Sequence, residues 1–333
     1  MINQDQIKEI STNQEIDEFS ILREYIQVLF LSILYNQKES QEIYFKGGTA
    51  IKLLFFPARF SEDLDFTTTL SAEEIKKLLF KIEKNLKEIV PEIYIKDILT
   101  SDLSFQGILT FKRQEDKFNL NVHLDFSLRE KPTQITTTLL ETKYPINSLP
   151  MVIHLSWEEV LSEKIRALFS RTKGRDVFDI WLLLSKGVDL NIDLINKKLE
   201  IYKISVNFQD ILNKIEDFDE DILKQDLGQF LSRKDRPIVS QLKTMLIKTL
   251  KEWNSFSIKE SLDLDYSKDF FSETIKEINK KDDGIEVILS NSLAFISPNN
   301  KKGDLKLDYI YQNKSQFKNK TYKELIDFQF TKY

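Results

Sequence analysis

The sequence contains no cysteine and only two histidines, His123 and His154, in 333 residues. The lack of cysteine excludes disulfide scaffolds, cysteine-bound zinc, iron–sulfur clusters and thiol catalysis. Two histidines exclude a three-histidine metal site and disfavour hydrolysis by a serine–histidine pair. Glycine and proline are also scarce, at 8 and 7 residues, which argues against collagen-like and linker-like chains.

Long hydrophobic runs are absent as well. No apolar run approaches the roughly 18–20 residues that span a bilayer, and the polar, acidic N-terminus lacks the basic-then-apolar order of a secretion signal. We therefore expect a soluble, cytoplasmic protein with no membrane association. The 48 basic and 53 acidic residues give a net charge of −5, so the overall charge carries no nucleic-acid signature and only local basic patches matter.

The order of periodic segments predicts an α+β protein. An early strand–helix–strand unit is followed by three strand candidates, and amphipathic helices dominate from residue 156. Short alternating runs return in the tail. The predicted division is an α+β lobe at 1–155, a helical lobe at 156–255 and a C-terminal extension with strands at 256–333, whose role the sequence does not define.

The most informative stretch is residues 44–67, YFKGGTAIKLLFFPARFSEDLDFT. Gly47 and Gly48 leave a short strand and open a helix, where backbone N–H groups can approach a phosphate closely. Asp63 and Asp65 lie two apart on the next predicted strand, so their carboxylates point to one face. Such a pair suits one or two Mg²⁺ ions, which take their other ligands from water and substrate phosphates.

Asp125 is the best candidate for a third carboxylate, because it lies on the polar face of the strand predicted over 118–128. Three acids beside a Gly-Gly helix start would hold metals and a triphosphate for an in-line nucleotidyl transfer. Each feature also has a structural interpretation. The glycines can form an ordinary tight turn, and an Asp-Leu-Asp sequence can be the solvated face of a strand.

Four further features have two interpretations each. Lys164 borders the buried stripe of its helix, so its amine either reaches solvent or points into a cleft. Asp176 is either a site residue or the N-cap of the next helix. Arg59, which precedes Ser61 and the acidic pair, either binds a phosphate or pairs with Glu62. A second basic region either follows an RNA backbone or forms a solvated helix face; it comprises Arg233, Lys234, Arg236, Lys243 and Lys248.

The order KGGTAIKLL followed by RFSEDLDF resembles the AbiEii/AbiGii-type nucleotidyltransferase toxins of bacterial abortive-infection systems, which belong to the polymerase-beta-like nucleotidyltransferase superfamily. A second block, WEEVLSEKIRALFSRTKGRDVFDIWLLL at 157–184, supports the resemblance. Similar proteins carry a lysine-containing helix and then an Arg-Asp-x-x-Asp sequence. The resemblance implies a polymerase-beta-like lobe with a mixed sheet and a helical lobe that completes the active-site cleft.

The resemblance also implies roles for individual residues. It assigns catalysis to Asp63, Asp65, Asp125, Lys164 and Asp176, metal binding to the first three, and nucleotide binding to Gly47, Gly48, Thr49 and Lys164. Arg59 and Ser61, directly before the acidic pair, complete the candidate nucleotide-binding set. Other polymerase-beta-like enzymes have Gly-Ser where this chain has Gly-Gly-Thr, so a hydroxyl contact to the nucleotide would come from Thr49.

The resulting hypothesis is an Mg²⁺-dependent nucleotidyltransferase, with Mn²⁺ as an alternative ion, that acts as the toxin of a toxin–antitoxin or phage-defence pair. It would pass a nucleoside monophosphate from an NTP to an acceptor, for which the resemblance suggests a tRNA 3′ end, and a cognate antitoxin would restrain it. Two alternatives stay open: the acceptor is a protein or a small molecule, or the chain is a catalytically inert binding module that keeps the fold.

Overall fold

The computed structural model describes residues 2–56, 59–112, 119–263, 274–281, 284–290, 293–296, 310–321 and 324–325. Contacts divide the chain into two compact units, residues 1–253 and 254–333. Among the described residues, none of the helices combines the length and the apolar character that a bilayer crossing needs.

The first unit alternates helices and strands up to residue 155 and is helical afterwards. Its elements in chain order are α1 (Gln4–Gln14), α2 (Glu18–Leu34), β1 (Ile43–Lys46), α3 (Gly47–Ala50), β2 (Leu64–Thr68), α4 (Ala72–Ile89), β3 (Ile93–Thr100), β4 (Ser104–Phe111), β5 (Leu120–Ser127), β6 (Ile135–Leu139), β7 (Met151–Leu155), α5 (Trp157–Ser170), α6 (Gly174–Ser185), α7 (Ile192–Leu199), α8 (Phe208–Glu216), α9 (Glu220–Leu227) and α10 (Val239–Asp263). The division between the two units falls inside α10.

The described strands of this unit form a seven-stranded sheet in the order β3-β4-β5-β2-β1-β7-β6. β2 runs parallel to β5 and β1 runs parallel to β7, while the other neighbours are antiparallel, so the sheet is mixed. The α+β class with a mixed sheet is therefore confirmed. β1, β2 and β5 lie side by side near the middle of the sheet, which brings together segments that are far apart in the chain.

Local sequence signals explain where several helices begin. Ser71 and Glu74 form the predicted reciprocal capping box at the start of α4. The hydroxyl of Ser156 accepts a hydrogen bond from the backbone N–H of Glu159 at the start of α5. The carboxylate of Glu159 does not complete a second capping box, because it accepts hydrogen bonds from the backbone N–H groups of Thr133 and Gln134 instead.

Buried apolar side chains of the first unit form two clusters. One packs α2 and α4 against the sheet. The other fills the space among the helices that follow β7, and it also includes Ile51, in the segment after α3. The segment that links β1 to β2 therefore contributes to both cores. The predicted functional division at residues 155 and 255 stays a prediction.

Several elements differ from the sequence expectations. The helix expected over residues 49–56 begins two residues earlier, at Gly47, and its second half, Ile51–Phe55, is a turn of π-helix. Pro57, which the sequence suggests as the end of this helix, lies outside the described residues. α6 begins at Gly174 with Lys173 as its N-cap residue, so the interpretation of Asp176 as an N-cap is wrong. The predicted start of the β5 strand at 118 also lies outside the described residues.

The second unit contains β8 (Ile275–Lys281), β9 (Gly284–Leu289) and β10 (Leu293–Ile296). These described strands form an antiparallel sheet in the order β10-β9-β8. Its apolar side chains pack with those of Ile310, Phe317 and Leu325. The sequence predicted strands in this part of the chain, but β8 was not among its alternating runs, because Lys and Glu interrupt the apolar pattern there.

Candidate active site

The helix that follows β1 begins on a glycine in an unusual backbone conformation. Gly47 has φ +79°, which lies in the left-handed region that residues with a Cβ rarely adopt. A Cβ on Gly47 would lie 2.2 Å from Oδ2 of Asp65 on the neighbouring strand β2. The missing side chain therefore allows the carboxylate of Asp65 to lie directly against the turn at Gly47 and Gly48.

Two of the three predicted acidic residues, Asp65 and Asp125, lie on one face of the sheet. Asp65 is paired with Lys46 on β1 and with Asp125 on β5, and side chains paired directly across strands project from the same face. Asp63 lies directly before β2, outside the strand on which the sequence predicted it, and its charge acts on Asp65. Asp125 is held in place by Gln106, whose Nε2 donates to its Oδ2 at 3.0 Å.

Burial raises the pKa values of Asp63 and Asp65, and the neighbouring acids raise that of Asp65 further. The pKa of Asp65 is raised to about 6, first by burial and then by the negative charges of Asp63 and Asp125, which Lys164 and Lys46 only partly offset. Burial also raises the pKa of Asp63. Among the described residues, no lysine or arginine forms an ion pair with either group. Asp63 and Asp65 therefore lack a directly paired cation within the described residues.

The donor set fits a hard divalent cation. Carboxylate oxygens are the ligands that Mg²⁺ prefers, and a Mg²⁺ site usually combines one or two of them with water and substrate phosphates. Among the described residues, no group of three or more histidine, cysteine or acidic side chains is placed to hold a metal ion, so Asp63, Asp65 and Asp125 do not form a three-acid ligand set by themselves. One or two of these carboxylates, with water and substrate phosphates as the other ligands, still match the usual composition of a Mg²⁺ site.

Residues 59–63, here called the 59–63 loop, pack against the turn. A Cβ on Gly48 would lie 2.4 Å from Nη2 of Arg59 and 3.0 Å from Oγ of Ser61. The hydroxyl of Thr49 donates a hydrogen bond to the backbone carbonyl of Asp63. The structure thus brings the predicted glycines, Thr49, Arg59 and Ser61 together. The Thr49 hydroxyl is engaged with the backbone that carries Asp63.

Arg59 forms an ion pair that the sequence did not indicate. Its Nε and Nη2 donate to the two carboxylate oxygens of Asp179 on α6, each at 2.6 Å. The expected alternative pairing of Arg59 with Glu62 is wrong, because Glu62 pairs with Arg23 of α2 at 2.5 Å. Arg59 is therefore a buried link between the 59–63 loop and the helices after β7.

Lys164 is buried rather than extended into solvent. Its Nζ lies 2.7 Å from Oδ2 of Asp179 and 3.3 Å from Oδ1 of Asp176. Asp176 also accepts hydrogen bonds from Arg171 at 2.8 and 3.0 Å. The interpretation that Lys164 reaches solvent is wrong, and its amine belongs to a charged network that contributes to the electrostatic field at Asp65.

Three residues that support the site were not recognised from the sequence. Asp179, the second acid of the Arg-Asp-x-x-Asp sequence, lies three residues after Asp176, a spacing that places both on one helix face. Gln27 is a buried polar residue within the apolar pattern of α2, and its Nε2 donates to the carbonyls of Ser61 and Glu62 at 3.1 and 2.9 Å. Lys46 pairs with Glu163 at 3.0 Å. For Gln27, the sequence signal was a polar residue inside an apolar stripe, which indicates a buried polar contact.

The second predicted basic region is only partly free. Arg233, Lys234 and Arg236 are exposed. Lys243 donates from Nζ to the carbonyl of Phe218 at 3.0 Å, and Lys248 lies 3.8 Å from Glu252. Binding of RNA by this region stays a prediction.

The raised pKa of Asp65 predicts that divalent cations bind the protein in a pH-dependent way. Because a proton on a carboxyl of pKa about 6 competes with the ion, affinity for Mg²⁺ or Mn²⁺ should rise from pH 5 to pH 7. Calorimetry in two buffers of different ionisation enthalpy should detect proton release near pH 6. The variant Asp65→Asn should lose both effects, and an affinity that is constant over this range would contradict the assignment.

Comparison with solved structures shows which proteins share this fold. The fold is similar to that of MenT4, a nucleotidyltransferase toxin from Mycobacterium tuberculosis H37Rv, with a TM-score of 0.51 and 14% identity over 80% of this chain and 100% of that chain. JHP933 from Helicobacter pylori has a TM-score of 0.48 and 21% identity over 74% of this chain and 98% of that chain. No curated protein sequence matches the chain. The fold is thus that of a nucleotidyltransferase.

A family model gives the more specific assignment. The model described as "Nucleotidyl transferase AbiEii toxin, Type IV TA system" matches residues 29–253, more than half of the chain. The chain therefore belongs to the AbiEii family of nucleotidyltransferase toxins, as its glycine and aspartate motifs predicted. Membership of this family implies an NTP substrate and an antitoxin partner.

Proposed function

We propose that the protein is an Mg²⁺-dependent toxin that transfers a nucleoside monophosphate from an NTP to the 3′ end of a tRNA. The observation that carries this proposal is the position of Asp65, which lies against the turn at Gly47, beside Asp125 on the same sheet face and within the field of Asp63. Mn²⁺ has the same ligand preference and is the alternative ion. A role in phage defence, controlled by the antitoxin, is proposed from the family alone.

In this proposal the triphosphate lies at the turn of Gly47 and Gly48. The first N–H groups of a helix have no partners within it, so the start of α3 can donate to phosphate oxygens. Lys164 can donate one hydrogen bond to a phosphate, because its ammonium group has three donors and the two aspartates account for two of them. Arg59, Ser61 and Thr49 hold the shape of the turn and the 59–63 loop around this position.

The proposed acids then act together on the reacting phosphate. Asp63, Asp65 and Asp125 would hold one or two Mg²⁺ ions, which when bound supply charge neutralisation for the triphosphate and lower the pKa of the attacking hydroxyl. The acceptor oxygen forms a bond to the α-phosphorus, the bond to the β-phosphate oxygen breaks, and pyrophosphate leaves. Asp176 takes a supporting part, since it holds Lys164 and Arg171 in place.

Two exposed basic side chains beside the charged network support an RNA as the acceptor. Arg171 remains 55% exposed although it is bonded to Asp176, and Lys173 next to it in the loop before α6 is exposed. Basic groups at such a rim bind phosphates of a nucleic acid backbone. As NTPs and tRNA are cytoplasmic, we also propose that the protein acts in the cytoplasm.

Purified protein with Mg²⁺, each α-labelled NTP and total tRNA tests this proposal. Label is expected on the tRNA and is expected to disappear in EDTA. Parallel reactions should contain protein alone and protein with a cell extract freed of RNA. Label that appears only on protein or on a small molecule would contradict the tRNA acceptor. Absence of any transfer would contradict the proposed activity.

A further inference from the structure

We propose that Asp179 is a positioning residue that holds both the nucleotide turn and Lys164, and thereby determines the affinity for the NTP. This inference rests on the proposed function, because it assigns a role within the same site. Asp179 lies on α6 and is completely buried. It contacts two cations from different parts of the chain, Arg59 before β2 and Lys164 on α5.

The first of these contacts controls the turn. Arg59 presents its planar fork to Asp179 through Nε and Nη2, and its Nη1 donates to the carbonyl of Phe60 at 2.9 Å. A guanidinium bound on all sides in this way has little rotational freedom. Its Nη2 lies only 2.4 Å from the position that a Cβ on Gly48 would take. Asp179 therefore fixes how closely the 59–63 loop packs against Gly48.

The second contact controls Lys164. Oδ2 of Asp179 accepts from Lys164 at 2.7 Å, which is shorter than the 3.3 Å contact of Lys164 with Asp176. Asp176 is shared with Arg171. Without Asp179, Arg59 would lose the acid that binds both of its nitrogens, and Lys164 would depend on the longer contact alone. The turn at Gly48 and Lys164 would then no longer be held by the same residue.

A purely structural role of Asp179 is the alternative, and the chain offers a matched control for it. Glu159 is also completely buried. It accepts from the backbone N–H groups of Thr133 and Gln134, and it pairs with Lys198 at 2.6 Å. Its described contacts include neither Arg59 nor Lys164. Removing the charge of Glu159 therefore perturbs a buried carboxylate of similar connectivity without touching the turn.

The experiment compares Asp179→Asn with Glu159→Gln in the full chain. Both variants should lower the thermal unfolding midpoint, because each removes the charge of a buried carboxylate that pairs with a buried cation. Only Asp179→Asn should weaken binding of the preferred Mg²⁺–NTP, measured by calorimetry with each of the four NTPs, and raise its KM about 10- to 100-fold. Its kcat at saturating NTP should change much less.

A second variant addresses loss of folding. If Asp179→Asn does not fold, the double variant Arg59→Met with Asp179→Leu replaces the ion pair by apolar side chains of similar size, a change that folded proteins often accept. It should fold, and its affinity for the NTP should be lower than that of the wild-type protein. NTP binding equal to wild type in a folded Asp179 variant would overturn the inference. An equal rise of KM in Glu159→Gln would do so as well. A wild-type protein that binds no NTP would instead refute the proposed function.

Discussion

Replacing Asp63 and Asp65 by asparagine is expected to abolish nucleotidyl transfer. Asparagine keeps the size of the side chain but removes the negative oxygens that would bind a divalent cation. Because metal-assisted charge stabilisation contributes several kcal/mol to such reactions, kcat should fall by roughly 10³-fold or more. Transfer of labelled nucleotide by the purified variants, and growth of cells that express them, would measure the loss.

The same substitutions should leave the protein folded. Burial and neighbouring charge raise the pKa of Asp65 to about 6, so the ionised carboxylate is less stable in the folded chain than in the unfolded chain. Its contribution to folding stability therefore decreases as the pH rises from about 4 to 6 and is constant above that. At pH 7, Asp65→Asn should increase the free energy of unfolding by up to about 3 kcal/mol.

A control variant separates this effect from a general effect of charge removal. Asp193→Asn removes an exposed charge in the first turn of α7 and should change neither transfer nor stability appreciably. Full transfer or full toxicity of the Asp63→Asn and Asp65→Asn variants would favour the inert binding module. A lower free energy of unfolding for Asp65→Asn than for the wild type at pH 7 would contradict the expected destabilisation of the folded chain by the ionised Asp65.

The substitution Gly47→Ala should reduce transfer by at least about 100-fold. The added Cβ would occupy a position 2.2 Å from Oδ2 of Asp65, so the carboxylate must move away from the turn. The backbone at φ +79° is also unfavourable for alanine, which should lower the free energy of unfolding by roughly 1–2 kcal/mol. Initial rates with labelled NTP and chemical denaturation would measure the two effects.

Gly187→Ala is the matched control for the backbone effect. Gly187 has φ +82°, almost the same as Gly47, but a Cβ there would meet no atom within 4 Å. This variant should lose a similar amount of stability and keep its transfer rate. If both alanine variants keep full activity, the contact between Asp65 and the turn has no functional importance.

The local parts of the site could be predicted from the sequence. Two glycines between a strand and a helix, and two aspartates at alternate positions of the next strand, are patterns within a few residues of each other. Backbone geometry alone determines what such spacings bring together. The capping residue Ser71 and the helical stripe of α2 were predictable for the same reason, since each depends on neighbours three or four positions away.

The partners of Arg59 and Lys164 could not be predicted in this way. Arg59 and Asp179 are 120 positions apart in the chain, and their contact depends on how the helices after β7 pack beside the sheet. The sequence therefore suggested Glu62 as the acid that could pair with Arg59, because it is close in the chain. In the structure Glu62 pairs with Arg23 on α2. Asp179 similarly has a complete local explanation as a first-turn acid, and nothing near it indicates a distant arginine.

The parallel pairing of β2 with β5 has a consequence for how such proteins diverge. Asp65 and Asp125 are adjacent because backbone hydrogen bonds hold the two strands in register, and these bonds do not depend on which side chains the strands carry. The segment that contains α4, β3 and β4 only has to bring the chain back to the side of β2, where β5 pairs with it. Natural variation in that segment can therefore be extensive, while the distance between the two aspartates stays the same.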